Sequence, residues 1–212
     1  MVDKKRVIVY VDGFNFYYGL KSKSKQDASW KKFYWLDMVA FFEKMLKDDQ
    51  ELIEVHYFSA RPHDVNVSKR QDSFFCANKL NEKFKLTLGK YLKKNITCTN
   101  CGSMIHTYEE KETDVRIATQ IINDVYKKRC DITIIVSADS DIIPSVELIR
   151  EINPANQIFV YFPPHRHSIS LSNNCNAVRK LSDYKARFNQ SMLPEQIKLL
   201  DGTIVSRPDN WK

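Results

Sequence analysis

Apolar and polar positions follow two different periods along this chain, and the changes from one to the other predict its elements. Arg6-Val-Ile-Val-Tyr-Val11 is an unbroken β-branched and aromatic run that stops at Asp12-Gly13. Such a run predicts a buried strand closed by a turn. Leu52 to Phe58, Asp131 to Val136 and Gln157 to Phe162 have the same character, the last closed by Pro163-Pro164. Between these runs the apolar spacing lengthens to three and four. Trp35, Met38, Val39, Phe42, Met45 and Leu46 predict an amphipathic helix over 35–47, and Ile117, Ala118, Ile121, Ile122 and Val125 predict another over 113–126. Val65 to Asn81 reads as a helix with a polar, basic outer face around Lys69 and Arg70. Ile142 to Ile152 reads as a helix with Pro144 in its first turn, where proline is tolerated. Short apolar strands alternating with amphipathic helices predict an α/β fold with a mostly parallel central sheet flanked by helices.

Length and composition narrow this picture. The 212 residues suit one domain over 1–188. A small cysteine-containing insertion is expected near 95–108, and a tail over 189–212 that packs on the body as a loop. Only five glycines are present, with no G-x-x-x-x-G-K-[ST] loop and no G-x-G-x-x-G, so P-loop and ordinary dinucleotide-binding readings lose their main support. The balance of 33 Lys+Arg against 26 Asp+Glu gives +7 and favours polyanionic partners, nucleic acid foremost. No stretch approaches the run of about 18 apolar residues that a membrane span needs. Five cysteines, odd in number and mostly far apart, argue against a secreted disulfide framework, so a reducing cytoplasm is the expected location.

The acids carry the candidate chemistry. In an open parallel sheet, ligands gather outside the carboxyl ends of the strands at a topological switch point. Two strands end in acids: Asp12 follows Val11, and Asp139 and Asp141 follow Val136. Asp114 lies in the first turn of the 113–126 helix and can point to the same edge. Each acid also has a purely structural reading: Asp12-Gly13 as a turn pair, Asp114 as a partner of the helix dipole, Asp141 as an N-cap. Four carboxylates in one cleft repel one another unless a cation lies among them, and hard oxygen ligands select Mg²⁺ or Mn²⁺ over Zn²⁺. An ion held in this way activates water and stabilises the charge that develops on a phosphodiester.

Four stretches resemble the NYN domain family in its LabA-like (DUF88) branch: Val9-Tyr-Val-Asp-Gly-Phe-Asn-Phe-Tyr17, Glu110-Lys-Glu-Thr-Asp-Val115, Ile135-Val-Ser-Ala-Asp-Ser-Asp-Ile-Ile-Pro144 and Phe162-Pro-Pro-His-Arg-His-Ser168. They occur in the family's order, from about residue 6 to about 185. The resemblance implies a Rossmann-like PIN/NYN fold and a metal-dependent ribonuclease that leaves 3′-hydroxyl and 5′-phosphate ends. By position, Asp12, Asp114, Asp139 and Asp141 match the family's acidic Mg²⁺/Mn²⁺ site. Asn15 matches the asparagine expected to orient an acid or the water, and Ser137 the small polar residue beside the acids. The usual glycine before Asp-Ser-Asp is Ala138 here. Single-stranded RNA as partner and a homodimer are further implications.

Other features are less committed. Cys98-Thr-Asn-Cys101-Gly102 has the shape of a zinc knuckle, with His106 as a third ligand and Cys76 or a partner subunit as the source of a fourth. The alternative is two reduced thiols in a β-turn. Lys79, Lys83, Lys85, Lys90, Lys93 and Lys94, interleaved with Phe84 and Tyr91, could track a phosphate backbone and stack bases, or form a solvated face. Lys111 and Arg116 are the preferred phosphate contacts, being close to the start of the 113–126 helix. Arg166 could contact substrate or cap a loop, and His165 and His167 read as structural. Set against a ribonuclease are a non-catalytic RNA-binding or scaffold module that retains the acidic site, and a phosphohydrolase of the haloacid-dehalogenase type. The last needs Asp-x-Asp after the first strand, where this chain has Asp12-Gly13-Phe14.

Overall fold

The computed structural model describes residues 3–62 and 64–212, with the side chains of residues 105–107 and 109 outside the described set. Seven strands form one sheet: β1 (Lys5–Asp12), β2 (Gln50–Ala60), β3 (Phe84–Thr97), β4 (Met104–Lys111), β5 (Ile132–Val136), β6 (Gln157–Phe162) and β7 (Ala177–Lys180), in the order β4-β3-β2-β1-β5-β6-β7. Every neighbouring pair is parallel except β3–β4. β1 is central, with Val9 paired to Val55 on one side and Ile134 on the other. Its residues alternate between two cores. Val7, Val9 and Val11 face one side, Ile8 and Tyr10 the other, and all are fully buried. Burial on both faces is why β1 and β5 read as continuous apolar runs rather than as alternating ones.

Helices cover both faces. α1 (Gly13–Gln26), α2 (Met38–Glu43) and α3 (Val65–Asn78) lie over the first core, together with Phe188 of α7 (Lys185–Asn189). α4 (Thr113–Tyr126), α5 (Ile143–Ile152) and α6 (Ile169–Asn173) contribute Ile117, Ile121, Val146, Ile149 and Leu171 to the second. The fold is thus the α/β architecture with a mostly parallel, helix-flanked sheet that the sequence patterns predict.

Several elements differ from those expectations. Asp12-Gly13 is not a turn: β1 runs through Asp12, and Gly13 opens α1 directly. A Cβ on Gly13 would stand 2.5 Å from the Phe58 carbonyl oxygen and 2.6 Å from the Tyr57 ring, so glycine permits the close approach of α1 to β2. The helix expected over 35–47 shrinks to Met38–Glu43 because residues before it are tied to the C-terminal segment. Trp35 Nε1 donates to the Pro194 carbonyl at 2.7 Å, Leu36 bridges Met192, and Asp37 caps the helix by accepting from the Ala40 amide. Residues 95–108 form the far end of the long β3–β4 hairpin. In the segment after residue 188, β8 (Gln196–Lys198) and β9 (Ile204–Ser206) pair as a small antiparallel ribbon, and Trp211 is buried in the first core.

Candidate active site at the carboxyl edge of the sheet

The chain leaves β1 towards β2 and later crosses back through α4 to enter β5, on the other side of β1. This makes the β1/β5 boundary a switch point, where the strand ends leave a crevice. Asp12 and the segment from Ser137 to Asp141 meet there.

Asp12 is both the last residue of β1 and the N-cap of α1. It is only 4% exposed. Its Oδ1 accepts from the Asn15 amide at 3.0 Å, and its Oδ2 accepts from Asn15 Nδ2 at 2.7 Å and from Ser137 Oγ at 2.9 Å. The Ser137 hydroxyl also accepts from the Asp139 amide at 3.0 Å, so one fully buried side chain couples the end of β1 to the loop after β5. Asp139 in turn caps the single 3₁₀ turn Ser140–Ile142, its Oδ1 accepting from the Asp141 amide at 3.1 Å. The capping expected of Asp141 therefore falls to Asp139, and Asp141 is exposed.

Asp114 comes from a different direction. α4 starts immediately after the β3–β4 hairpin, through Glu112 in the left-handed region at φ 77°. Such a conformation costs a non-glycine residue about 1–3 kcal/mol and persists only where its surroundings enforce it. Here the Thr113 amide donates to Glu110 Oε1 at 3.2 Å, and Gly89 of β3 leaves no room beside Thr113 and Lys111. Asp114 follows, on the first turn.

Electrostatics show that these acids share one field. The Asp114 carboxyl, on an exposed residue, is pushed up to about 6 by partial loss of solvation first and then by Asp12, Asp139, Glu110 and Asp141. Burial raises Asp12 as well; the hydrogen bonds from Asn15 and Ser137 oppose that rise, and the Asp139 charge adds to it. Glu110 is thus a fifth acid of the cluster that the sequence reading missed. Its only signal is its place four residues before Asp114, which has meaning once residues 104–111 are known to be a strand ending at the cleft.

The donor chemistry fits a hard divalent cation: the groups are carboxylates, without thiolate or imidazole, and they raise one another's affinity for positive charge. Among the described residues, no three His, Cys, Asp or Glu side chains converge tightly enough to ligate one ion together. Mg²⁺ characteristically takes one or two carboxylates and retains several waters, so the cluster still matches its demands.

The other sequence candidates fall into place around this cleft. Asn15 holds Asp12 by two hydrogen bonds. Ser137 has no exposed surface, and both its bonds go to protein groups, so it braces the acids rather than facing a substrate. Lys111 ends β4, opposite Lys90. Arg116 is exposed and its guanidinium pairs with Glu112 one turn earlier at 2.7 Å, while Lys90 reaches the other Glu112 oxygen at 3.1 Å. Phe84 is core, which removes it as a base-stacking surface; Tyr91 packs edge-on against Phe14 instead. Cys98 and Cys101 lie at the tip of the hairpin, where Cys101 Sγ is 3.0 Å from Ser103 Oγ and this contact lowers its thiol pKa. The His106 side chain lies outside the described residues. The His167 ring packs against Phe162.

Known proteins resemble this chain in two ways. Its structure superposes on the crystal structure of a protein of unknown function from Vibrio parahaemolyticus with a TM-score of 0.58 and 20% identity, covering 84% of this chain and 94% of that one. Its sequence is 26% identical over 180 residues to 6-hydroxy-3-succinoylpyridine 3-monooxygenase HspA of Pseudomonas putida, covering 68% of this chain and 55% of that protein. The chain therefore spans about half the length of this curated relative. The NYN domain pattern matches residues 6–182, which include all five clustered acids. The chain belongs to the NYN domain family, whose fold is nuclease-like.

Proposed function

We propose that this protein is a Mg²⁺- or Mn²⁺-dependent ribonuclease that hydrolyses single-stranded RNA at the cleft between β1 and β5. The observation that carries the reading is that Asp12, Asp139, Asp141 and Glu110 all push up the Asp114 carboxyl at the switch point of an NYN-family sheet. Asp12, Asp139 and Asp114 are the residues that would hold the cation, with Asp141 acting directly or through water. Bound there, a divalent ion supplies an activated water and neutralises charge on the scissile phosphate.

The chain's own residues have separable tasks. Asn15 and Ser137 fix the Asp12 carboxylate so that it does not reorganise as charge develops, the preorganisation on which electrostatic catalysis depends. Asp139 holds its loop by accepting from the Asp141 amide through Oδ1. The basic surplus of +7 draws the polyanion to a cleft whose floor is acidic.

A second reading, a non-catalytic RNA-binding or scaffold module, draws on the lack of any three ligand-type side chains gathered around one point among the described residues. One experiment separates the two. End-labelled single-stranded RNA is incubated with the protein in Mn²⁺, Mg²⁺ or EDTA, beside an Asp139→Asn variant of unchanged circular dichroism. The nuclease reading expects cleavage that needs metal and disappears in the variant. RNA bound but uncut in every metal would transfer support to the module.

A further inference from the structure

Beside the acidic cleft, on the other side of the α1 N-terminus, a cavity of about 110 Å³ opens to the surface. Its walls are aromatic, chiefly Phe14, Tyr17, Tyr34, Tyr57, Phe74 and Trp211. The two sites are contiguous: Gly13, next to Asp12, lines the cavity, and the Tyr57 hydroxyl points to the Gly13 carbonyl at 3.5 Å. The cavity is smaller than the roughly 150 Å³ that encloses benzene but is open on one side, so it takes one base inserted edge-first with part of it outside, and excludes a base pair.

Two polar side chains interrupt the aromatic lining, and both have unused capacity. Gln71 donates from Nε2 to the buried Ser59 hydroxyl at 2.8 Å, which fixes the amide and leaves its Oε1 buried with no hydrogen-bond donor among the described residues. A buried acceptor left unsatisfied costs about 1–3 kcal/mol, a cost that a ligand N–H removes. Arg70, one residue earlier on α3, is half-buried at the cavity wall and has no ion-pair partner among the described residues. Arg61, by contrast, pairs with Asp72. The cavity thus offers stacking faces, one unsatisfied acceptor in its lining, and one guanidinium without an ion-pair partner among the described residues.

We propose that this cavity is a nucleotide subsite: one unstacked base of the RNA strand inserts among the aromatics, donates to Gln71 Oε1, and places its phosphate on Arg70. The assignment rests on the nuclease reading for its substrate class and extends it, by naming what positions the strand next to the acids. Base–aromatic stacking contributes about 1–3 kcal/mol per base and tolerates any base, while every base edge carries an N–H for Gln71. The subsite therefore fixes the position of the strand with little sequence selectivity.

The test uses the full chain in EDTA, so that binding is read without the acidic cleft or any cleavage. Calorimetry compares adenosine and cytidine 5′-monophosphates with the two nucleosides and with ribose 5-phosphate. The monophosphates should bind, the nucleosides more weakly, and ribose 5-phosphate weakest. Arg70→Ala should weaken the monophosphates about tenfold, the loss of one hydrogen-bonded charge pair, and leave the nucleosides unchanged. Gln71→Leu should weaken both, and an RNA oligonucleotide should displace the monophosphates. In metal-supported cleavage, both variants should raise KM with little change in kcat. Ribose 5-phosphate binding as well as the monophosphates, or variants indistinguishable from the parent protein, would overturn the subsite. So would a free heterocycle that RNA cannot displace. Nucleotide binding that responds to these variants without any RNA cleavage would refute the nuclease reading and leave the subsite standing. Cleavage with unchanged KM in both variants would do the reverse.

Discussion

Replacing Ser137 by alanine removes a single oxygen, and the structure sets what it should cost. That hydroxyl donates to Asp12 Oδ2 at 2.9 Å and accepts from the Asp139 amide at 3.0 Å, at a residue with no exposed surface. A hydrogen bond to a charged group contributes about 1.5–3 kcal/mol and a neutral one about 0.5–1.5 kcal/mol. Asp12 keeps its two bonds from Asn15, which brings the first contribution to the low end. The Asp139 amide loses the one partner it has in Ser137. Ser137→Ala should therefore destabilise the protein by about 2–3 kcal/mol, out of the roughly 5–15 kcal/mol typical of a domain. The assay is equilibrium unfolding in urea at pH 7, reading the midpoint at constant slope, with RNA cleavage measured on the folded variant below the transition. Cleavage should fall as well, because Asp12 and Asp139 lose their common brace. A change below about 0.5 kcal/mol with undiminished cleavage would refute the coupling of the two acids through this hydroxyl.

Three further outcomes follow from the geometry. Asp124 is fully buried and accepts from Arg129 at 2.7 Å, Tyr10 at 2.9 Å and Gln120 at 2.9 Å, and Arg129 also pairs with Glu54 at 2.8 Å; Arg129→Met removes both ion pairs and should cost about 2–3 kcal/mol in urea unfolding, below the range for a fully buried pair because the guanidinium is partly exposed and two bonds to Asp124 survive. His56 stacks on Tyr10 in the same cluster, and burial, opposed by Asp124 and Glu54, depresses its pKa below the ordinary 6.5. The unfolded chain then takes up the proton first, so the melting temperature should decline as pH falls from 7.5 through about 6.5, and His56→Gln should flatten that part of the profile. Gly89→Ala places a Cβ 2.6 Å from Thr113 Oγ1 and 2.7 Å from the Lys111 carbonyl; the carbonyl cannot swing aside, so a loss of about 1–3 kcal/mol in thermal unfolding, with reduced cleavage through a displaced Asp114, is expected.

The legible parts of the fold were those whose pattern is set by burial alone. β1 and β5 are apolar on both faces, and α4 carries Ile117, Ile121 and Val125 on one stripe facing the second core, so local period and tertiary environment agree. α1 was not legible: its helix of Gly, Asn, Ser and Lys among aromatics has only Phe16, Leu20 and the glycines buried, and its start is decided by the Asp12 cap and the contact of Gly13 with β2. The truncation of α2 likewise depends on Trp35 and Leu36 meeting residues more than 150 positions later. At the site, Asp12, Asp114, Asp139 and Asp141 could be named because each follows or opens a recognisable element. Glu110 could not, since its position depends on a hairpin whose lysine-rich strand reads as a charge run. The aromatic cavity was equally hidden, because it is assembled from α1, Tyr34, β2, α3, β3 and the C-terminal Trp211.

On the proposed reading, the acids of the β1/β5 cleft act together as one cation site. A Mn²⁺ titration followed by electron paramagnetic resonance, on the parent protein and on Asp139→Asn, tests it most directly. One saturable Mn²⁺ site is expected, displaced by Mg²⁺ and lost or greatly weakened in the variant, with its occupancy tracking RNA cleavage. No saturable binding, or binding that Asp139→Asn leaves unchanged, would contradict it.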